Sequence, residues 1–150
     1  MSDMDLNLAL EPSPASDAPL NPWFAFRDDA PIEGGFDPKF GDVTWRTLIC
    51  KDRMNSNDIV LGTAHLPAFG RLPLHRHDPA EFYYFISGHG EVTIEGKATV
   101  VYPGMAVFVP GGAEHSVTAS DESLEFVYGF AQHRFGDVVY NFSEQRDAEQ

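Results

Sequence analysis

The chain is 150 residues long and 43% hydrophobic, with 23 Asp+Glu against 10 Lys+Arg and a formal net charge of −13. That length suits a single domain with one core, and so acidic a chain excludes nucleic acid as a partner, because that binding draws on basic side chains releasing counterions. No apolar run approaches the roughly 18 residues of a membrane span, the first residues lack the basic-then-apolar pattern of a secretory leader, and the one cysteine, Cys50, cannot close an internal disulfide, so a soluble cytoplasmic protein is expected.

Residues 1–22 read as a flexible tail. Asp3, Asp5, Glu11 and Asp17 are unmatched by any Lys or Arg, and Pro12, Pro14, Pro19 and Pro22 interrupt any regular pattern. Residues 23–42 form an aromatic arm, in which Trp23, Phe24, Phe26, Phe36 and Phe40 lie among glycines and prolines. Rings at that density are expected to pack over the domain or a second subunit.

From residue 43 to 142 the chain reads as strand after strand. Val43 to Cys50 and Asp58 to His65 flank a polar turn, and the apolar setting of Cys50 makes it a buried thiol. Arg71 to His77 and Glu81 to Ser87 follow. Glu91 to Glu95 and Ala98 to Tyr102 read as a hairpin about Gly96-Lys97. Met105 to Val109, His115 to Ala119, Ser123 to Phe130 and Val138 to Phe142 complete the set, separated by Pro103-Gly104 and Pro110-Gly111-Gly112. Short helical turns are left open near Phe135, and residues 143–150 read as a second tail. Many short strands at this spacing predict an all-β fold, a sandwich or a jelly-roll barrel.

The chemistry concentrates in one stretch, Leu74-His75-Arg76-His77-Asp78-Pro79-Ala80-Glu81-Phe82-Tyr83. Strand side chains alternate faces, so His75 and His77 share a side of the sheet. After the Asp78-Pro79 turn, Glu81, Tyr83 and Phe85 share one face of the next strand. Two imidazoles and a carboxylate are metal-ligand chemistry. The fourth ligand must come from elsewhere, and His115 has the best context, following a Pro-x-Gly turn at the head of a strand. His65, His89 and His133 are expected to meet solvent or ordinary hydrogen bonds. Arg46, Arg53 and Arg71 are candidate carboxylate clamps, with a surface role the default for each. Trp45, Phe85, Tyr102, Phe108, Phe126 and Tyr128 are candidates for an aromatic wall, or else for plain core.

Two motifs, His75-x-His77-x3-Glu81-x6-Gly88 and Gly104-x5-Pro110-x-Gly112-x2-His115, resemble those of the cupins. Gly70 stands one residue nearer His75 than the usual pattern, and Ala119 replaces the terminal Asn. The resemblance implies a small antiparallel β-barrel enclosing one divalent metal held by His75, His77, Glu81 and His115, with Fe(II) favoured and Mn, Ni, Co or Zn acceptable to the same donors. It also implies a homodimer.

The His-x-His-x3-Glu-x-Tyr set is similar to that of the cupin-type dimethylsulfoniopropionate lyases, as are the chain length and the flanks Thr44-Trp45-Arg46 and Asp137-Val138-Val139-Tyr140. That similarity implies a small-molecule carboxylate substrate, β-elimination to dimethyl sulfide and acrylate, and Tyr83 as the base. Tyr128, Trp45 and Phe85 are then the substrate-binding candidates, Tyr128 by a hydrogen bond to the carboxylate or by cation–π attraction to the sulfonium. A mononuclear metal cupin of another chemistry, dioxygenase or sugar isomerase, and a non-catalytic ligand-binding cupin are the alternatives.

Overall fold

A computed structural model of the protein describes residues 22–35, 38–54, 58–131 and 138–143. The expected tails, 1–22 and 143–150, lie outside the described residues except for Pro22 and Ser143, as do Phe36, His133 and the turns left open near Phe135.

The strands are β1 (Glu33–Gly34), β2 (Thr44–Ile49), β3 (Val60–Leu66), β4 (Arg71–Arg76), β5 (Glu81–Ser87), β6 (Gly90–Ile94), β7 (Lys97–Val101), β8 (Ala106–Val109), β9 (His115–Ala119), β10 (Leu124–Phe130) and β11 (Asn141–Phe142). They form a six-stranded sheet in the order β1-β2-β3-β10-β5-β8 and a five-stranded sheet in the order β11-β4-β9-β6-β7. Every described pairing is antiparallel. A short 3-10 turn lies at Arg27–Asp29, and no helix among the described residues is long and apolar enough to cross a membrane. This is the all-β jelly-roll expected from the sequence.

Period-two alternation sorts the side chains. In β5, Glu81, Tyr83 and Phe85 point inward and are buried, while Phe82, Tyr84 and Ile86 point outward and are exposed. The inner faces of both sheets close on a core of Leu66, Phe85, Val92, Val117, Leu124 and Phe126, with Cys50 buried beside it as expected. The β6–β7 hairpin turns at Glu95-Gly96, both with positive φ (48° and 79°). The turn therefore begins one residue before the expected Gly96-Lys97, with Gly in the second left-handed position.

Two boundaries differ from the sequence reading for reasons that bear on the site. β4 ends at Arg76, and His77 hangs beyond it where Asp78-Pro79 turns the chain. The last strand covers only Asn141–Phe142 of the expected Val138 to Phe142, since Tyr140 leaves the ladder to lie against His75 and His77. In the arm, Phe40 packs against the core, but Trp23, Phe24 and Phe26 are 46%, 91% and 62% exposed. Trp23 is half covered and its indole donates to the carbonyl of Leu48 on β2 at 3.1 Å, so it packs on its own domain, while Phe24 and Phe26 stay largely uncovered within the single chain.

Candidate metal centre

His75 on β4 and His115 on β9 are direct cross-strand partners. His77 follows β4, and Glu81 opens β5 on the facing sheet. All four are buried, with exposures of 0%, 1%, 2% and 5% for His75, His115, His77 and Glu81. One ligand-type atom from each lies within 4.8 Å of all the others. The sequence-predicted quartet is thus brought together, grouped as a metal site is. His65 and His89 stay apart from it: the first is exposed on β3, and the second contacts Glu122 at 2.8 Å and Asp121 at 3.5 Å on the surface.

Local backbone sets the tautomer of each ring. His75 Nδ1 meets the carbonyl of Pro73 at 2.7 Å, His77 Nδ1 that of Pro79 at 2.9 Å, and His115 Nδ1 that of Ala113 at 2.9 Å. A carbonyl only accepts, so each Nδ1 carries its proton and donates it, which leaves Nε2 of each ring as the atom aimed at the interior, where it can meet a cation or share a proton with an acceptor. Those Nε2 atoms converge on a carboxylate. His77 Nε2 and His115 Nε2 both lie 3.2 Å from Glu81 Oε1, and His75 Nε2 is buried with no hydrogen-bond partner. Burial, reinforced by His115, drives the His75 imidazole down to about 3, so this ring stays neutral. Burial opposes the charge on Glu81, yet the contacts to His115 and His77 prevail and hold its carboxyl below the usual range. A shared proton relieves one lone pair against the carboxylate; a divalent cation satisfies all four donors at once, and this set fits a borderline first-row metal.

Tyr83 stands beside Glu81 as the strand alternation requires, and its hydroxyl donates to Glu81 Oε1 at 3.0 Å. Burial, then the Glu81 charge, raises its phenol well above the ordinary value, so without a cation Tyr83 holds its proton. A cavity of about 30 Å³ opens next to it, room for about two water molecules. Trp45, Tyr83, Phe126, Tyr128 and Tyr140 line it together with Phe40 and Glu81, and among the described residues no Lys or Arg does. Trp45 and Tyr128 are therefore where the sequence suggested. Phe85 is not: it packs behind, against Phe126 at 5.2 Å and Tyr83 at 6.1 Å, and does not border the cavity.

Two wall residues escaped the sequence reading. Tyr140 stacks on His75 at 5.0 Å and 26° and meets His77 edge-on at 5.0 Å. Phe40 closes on Tyr140 at 5.0 Å. The alternation of Val138, Tyr140 and Phe142 was a usable signal for an inward Tyr140. Phe40 gave none, since it arrives from a loop. A larger groove of about 210 Å³, lined in part by Arg27, Arg46, His65 and Glu125, includes none of the four clustered residues. Arg46 there donates to the carbonyls of Arg27, Asp28 and Ala30 and so ties down the arm.

Residues 62–130 match the Cupin_2 family, the cupin domain. The dimethylsulfoniopropionate lyase DddW of Ruegeria pomeroyi is 39% identical over 139 residues, covering 93% of this chain and 91% of that one. Among solved structures, the polyketide cyclase RemF of Streptomyces resistomycificus aligns with a TM-score of 0.69 at 21% identity, over 80% of this chain and 84% of its own. A mutant of the oxalate decarboxylase OxdC of Bacillus subtilis aligns with a TM-score of 0.71 at 23% identity, over 93% of this chain and 37% of its own. At those identities the two structures speak for the fold alone.

If the cluster is a metal site, a divalent transition metal at about a hundred times its Kd stabilises the fold by about 2.7 kcal/mol, which raises Tm by about 5–10 °C for a domain of this size. His75→Ala should abolish that rise. Thermal unfolding scans with and without metal check it, and a Tm of the unaltered protein indifferent to metal would contradict it.

Proposed function

This chain belongs to the cupin family, and on that footing we propose that it is a metal-dependent carbon–sulfur lyase that cleaves dimethylsulfoniopropionate, or a similar small carboxylate, to dimethyl sulfide and acrylate. The observation that carries the reading is Tyr83 hydrogen-bonded to Glu81 inside the four-donor cluster. In this reading His75, His77, Glu81 and His115 hold one divalent metal, with Fe(II) favoured. When bound, the metal supplies the positive charge that holds the substrate carboxylate and stabilises negative charge developing beside it.

The residues around the cluster suit the rest of the reaction. Among the described residues no Lys or Arg lines the cavity, so a carboxylate entering it meets no competing cationic side chain from them. The opposite, sulfonium end meets aromatic faces, those of Trp45 and Tyr128 among them. Tyr83 Oη, in its phenolate form, takes the proton from the carbon next to the carboxylate. That C–H pair becomes the new C=C bond, and the C–S bond breaks with its pair leaving on neutral dimethyl sulfide. Glu81 is part of the control. While its charge is uncompensated it keeps Tyr83 a donor, and with that charge met the electrostatic part of the hold is lifted. A cavity of about 30 Å³ is smaller than any such substrate, so binding must displace wall residues. Tyr140 and Phe40 are wall residues outside the strands, able to move without breaking a ladder.

In the same reading the protein is a cytoplasmic homodimer. A lone buried thiol requires no oxidising compartment. The dimer is supported by an apolar row across the outer face of the six-stranded sheet, where Phe108 pairs with Phe82, Phe82 with Gly129, and Gly129 with Leu61. Phe108 and Phe82 are 67% and 44% exposed there. Light scattering should give twice the chain mass, falling to the monomer in Phe82→Asp; a monomeric unaltered protein would sink this assignment.

For the reaction itself, metal-loaded protein given dimethylsulfoniopropionate should release acrylate and dimethyl sulfide in equal amounts. Tyr83→Phe should lower kcat by about 10²-fold or more, the usual worth of a positioned base. Absence of acrylate from a fully metallated protein defeats the lyase reading, while a fully active Tyr83→Phe removes only the role given to Tyr83.

A further inference from the structure

The core of the six-stranded sheet contains a polar chain that the metal cluster does not use. Thr47 in β2 is only 3% exposed. Its hydroxyl lies 2.9 Å from the Tyr128 hydroxyl on one side and donates to Glu33 Oε2 at 3.4 Å on the other. Glu33 belongs to β1, the two-residue strand by which the arm joins the sheet, and it is exposed.

Hydrogen-bond chemistry gives this chain a direction. Either hydroxyl can donate across the 2.9 Å contact, but the Glu33 carboxylate only accepts, so with Thr47 donating to Glu33 its single proton is spent and Tyr128 is the donor to Thr47. The proton of Tyr128 is thereby committed to Thr47, away from anything in the cavity. Sterics fix the pose as well: a Cβ on Gly62 would lie 2.5 Å from the Tyr128 hydroxyl, so only glycine beneath it leaves room for the phenol. Burial raises the Tyr128 phenol, against the Thr47 hydrogen bond and with the Glu33 charge adding, so it stays neutral and keeps its proton. Meanwhile the ring lines the cavity and is the cross-strand partner of Tyr83, so the two face the same interior a few ångströms apart. A hydroxyl donating into a chain that ends on a carboxylate is polarised toward the anion, and its oxygen and ring gain electron density.

We propose that Glu33, acting through Thr47, is a positioning residue that presents Tyr128 as an electron-rich wall with no proton to offer, and so selects a sulfonium or quaternary ammonium group over a neutral group of the same shape. Of the two roles the sequence left open for Tyr128, a hydrogen bond to the substrate carboxylate is closed by the direction of the chain, and attraction of the cation to the π face is favoured. A segment outside the barrel proper, β1 of the arm, thereby helps to choose what enters it. The inference rests on the small-carboxylate lyase reading above and adds the source of its selectivity for charge.

The test compares two ligands of one shape on the metal-loaded full chain by isothermal titration: 3-(trimethylammonio)propionate, and 4,4-dimethylpentanoate, in which carbon replaces the charged nitrogen. The unaltered protein should bind the cationic ligand about tenfold more tightly or better. Glu33→Gln and Thr47→Val should each reduce that preference about fivefold by weakening the cationic ligand alone, and Thr47→Ser, which keeps the hydroxyl, should restore it. Equal losses for both ligands, or a ratio that neither variant changes, would assign Glu33 and Thr47 a purely structural part and overturn the proposal. If the unaltered protein binds neither ligand, the substrate reading itself falls, and the selectivity device with it.

Discussion

Three imidazole lone pairs and one carboxylate oxygen are forced to face one another in a dry interior, and much else in this molecule serves that unfavourable meeting. Each ring is locked by an Nδ1 hydrogen bond to a carbonyl two residues away in sequence, so none can turn aside. His75 Nε2 is left without a partner, a situation that costs about 1–3 kcal/mol for a buried polar group. The barrel sustains that cost because its two sheets are pinned elsewhere by a continuous apolar core. A pocket that is poor for the protein alone and good for a cation is the physical meaning of the cluster.

The same electrostatics links the cluster to Tyr83. One Glu81 oxygen is approached by His77 and His115 and also accepts from Tyr83. Whatever engages that carboxylate therefore acts on the phenol within hydrogen-bond distance of it. Farther out, Thr47 and Glu33 exert a gentler influence of the same kind on Tyr128. Two tyrosines on adjacent strands, directly opposite each other, thus differ in what they offer a ligand because their hydroxyls are bound to different partners. Around them the wall is largely aromatic and, among the described residues, carries no basic side chain, so in the proposed reading charge recognition falls to the cluster at one end and to π faces at the other.

Much of this was legible from residue order because period two is a rigid rule: once Glu81 was taken to point inward, Tyr83 and Phe85 had to follow, and they do. The pairing of His75 with His115 was harder, since cross-strand register depends on the whole sheet, but the Pro110-x-Gly112 turn ahead of His115 was a sound guide. Facing the interior proved insufficient for Phe85, because a side chain may point inward and still be screened from the cavity by its neighbours, here Tyr83 and Phe126. Phe40 was missed because a loop residue carries no periodic signal, whereas Tyr140 lay on the inward side of the Val138, Tyr140, Phe142 alternation and was legible but not read. The Glu33–Thr47–Tyr128 chain was out of reach for a similar reason. It joins residues 14 and 81 positions apart, and only the folded sheet brings them together.

The central claim is that these four side chains grip one ion together, and X-ray absorption on protein reconstituted with Fe(II) or Mn(II) tests it most directly. The account predicts one metal per chain, an inner sphere of nitrogen and oxygen donors without sulfur, and the multiple-scattering pattern of three imidazoles that drops to two in His115→Ala. A spectrum without imidazole scattering, or one that His115→Ala leaves unchanged, would contradict it.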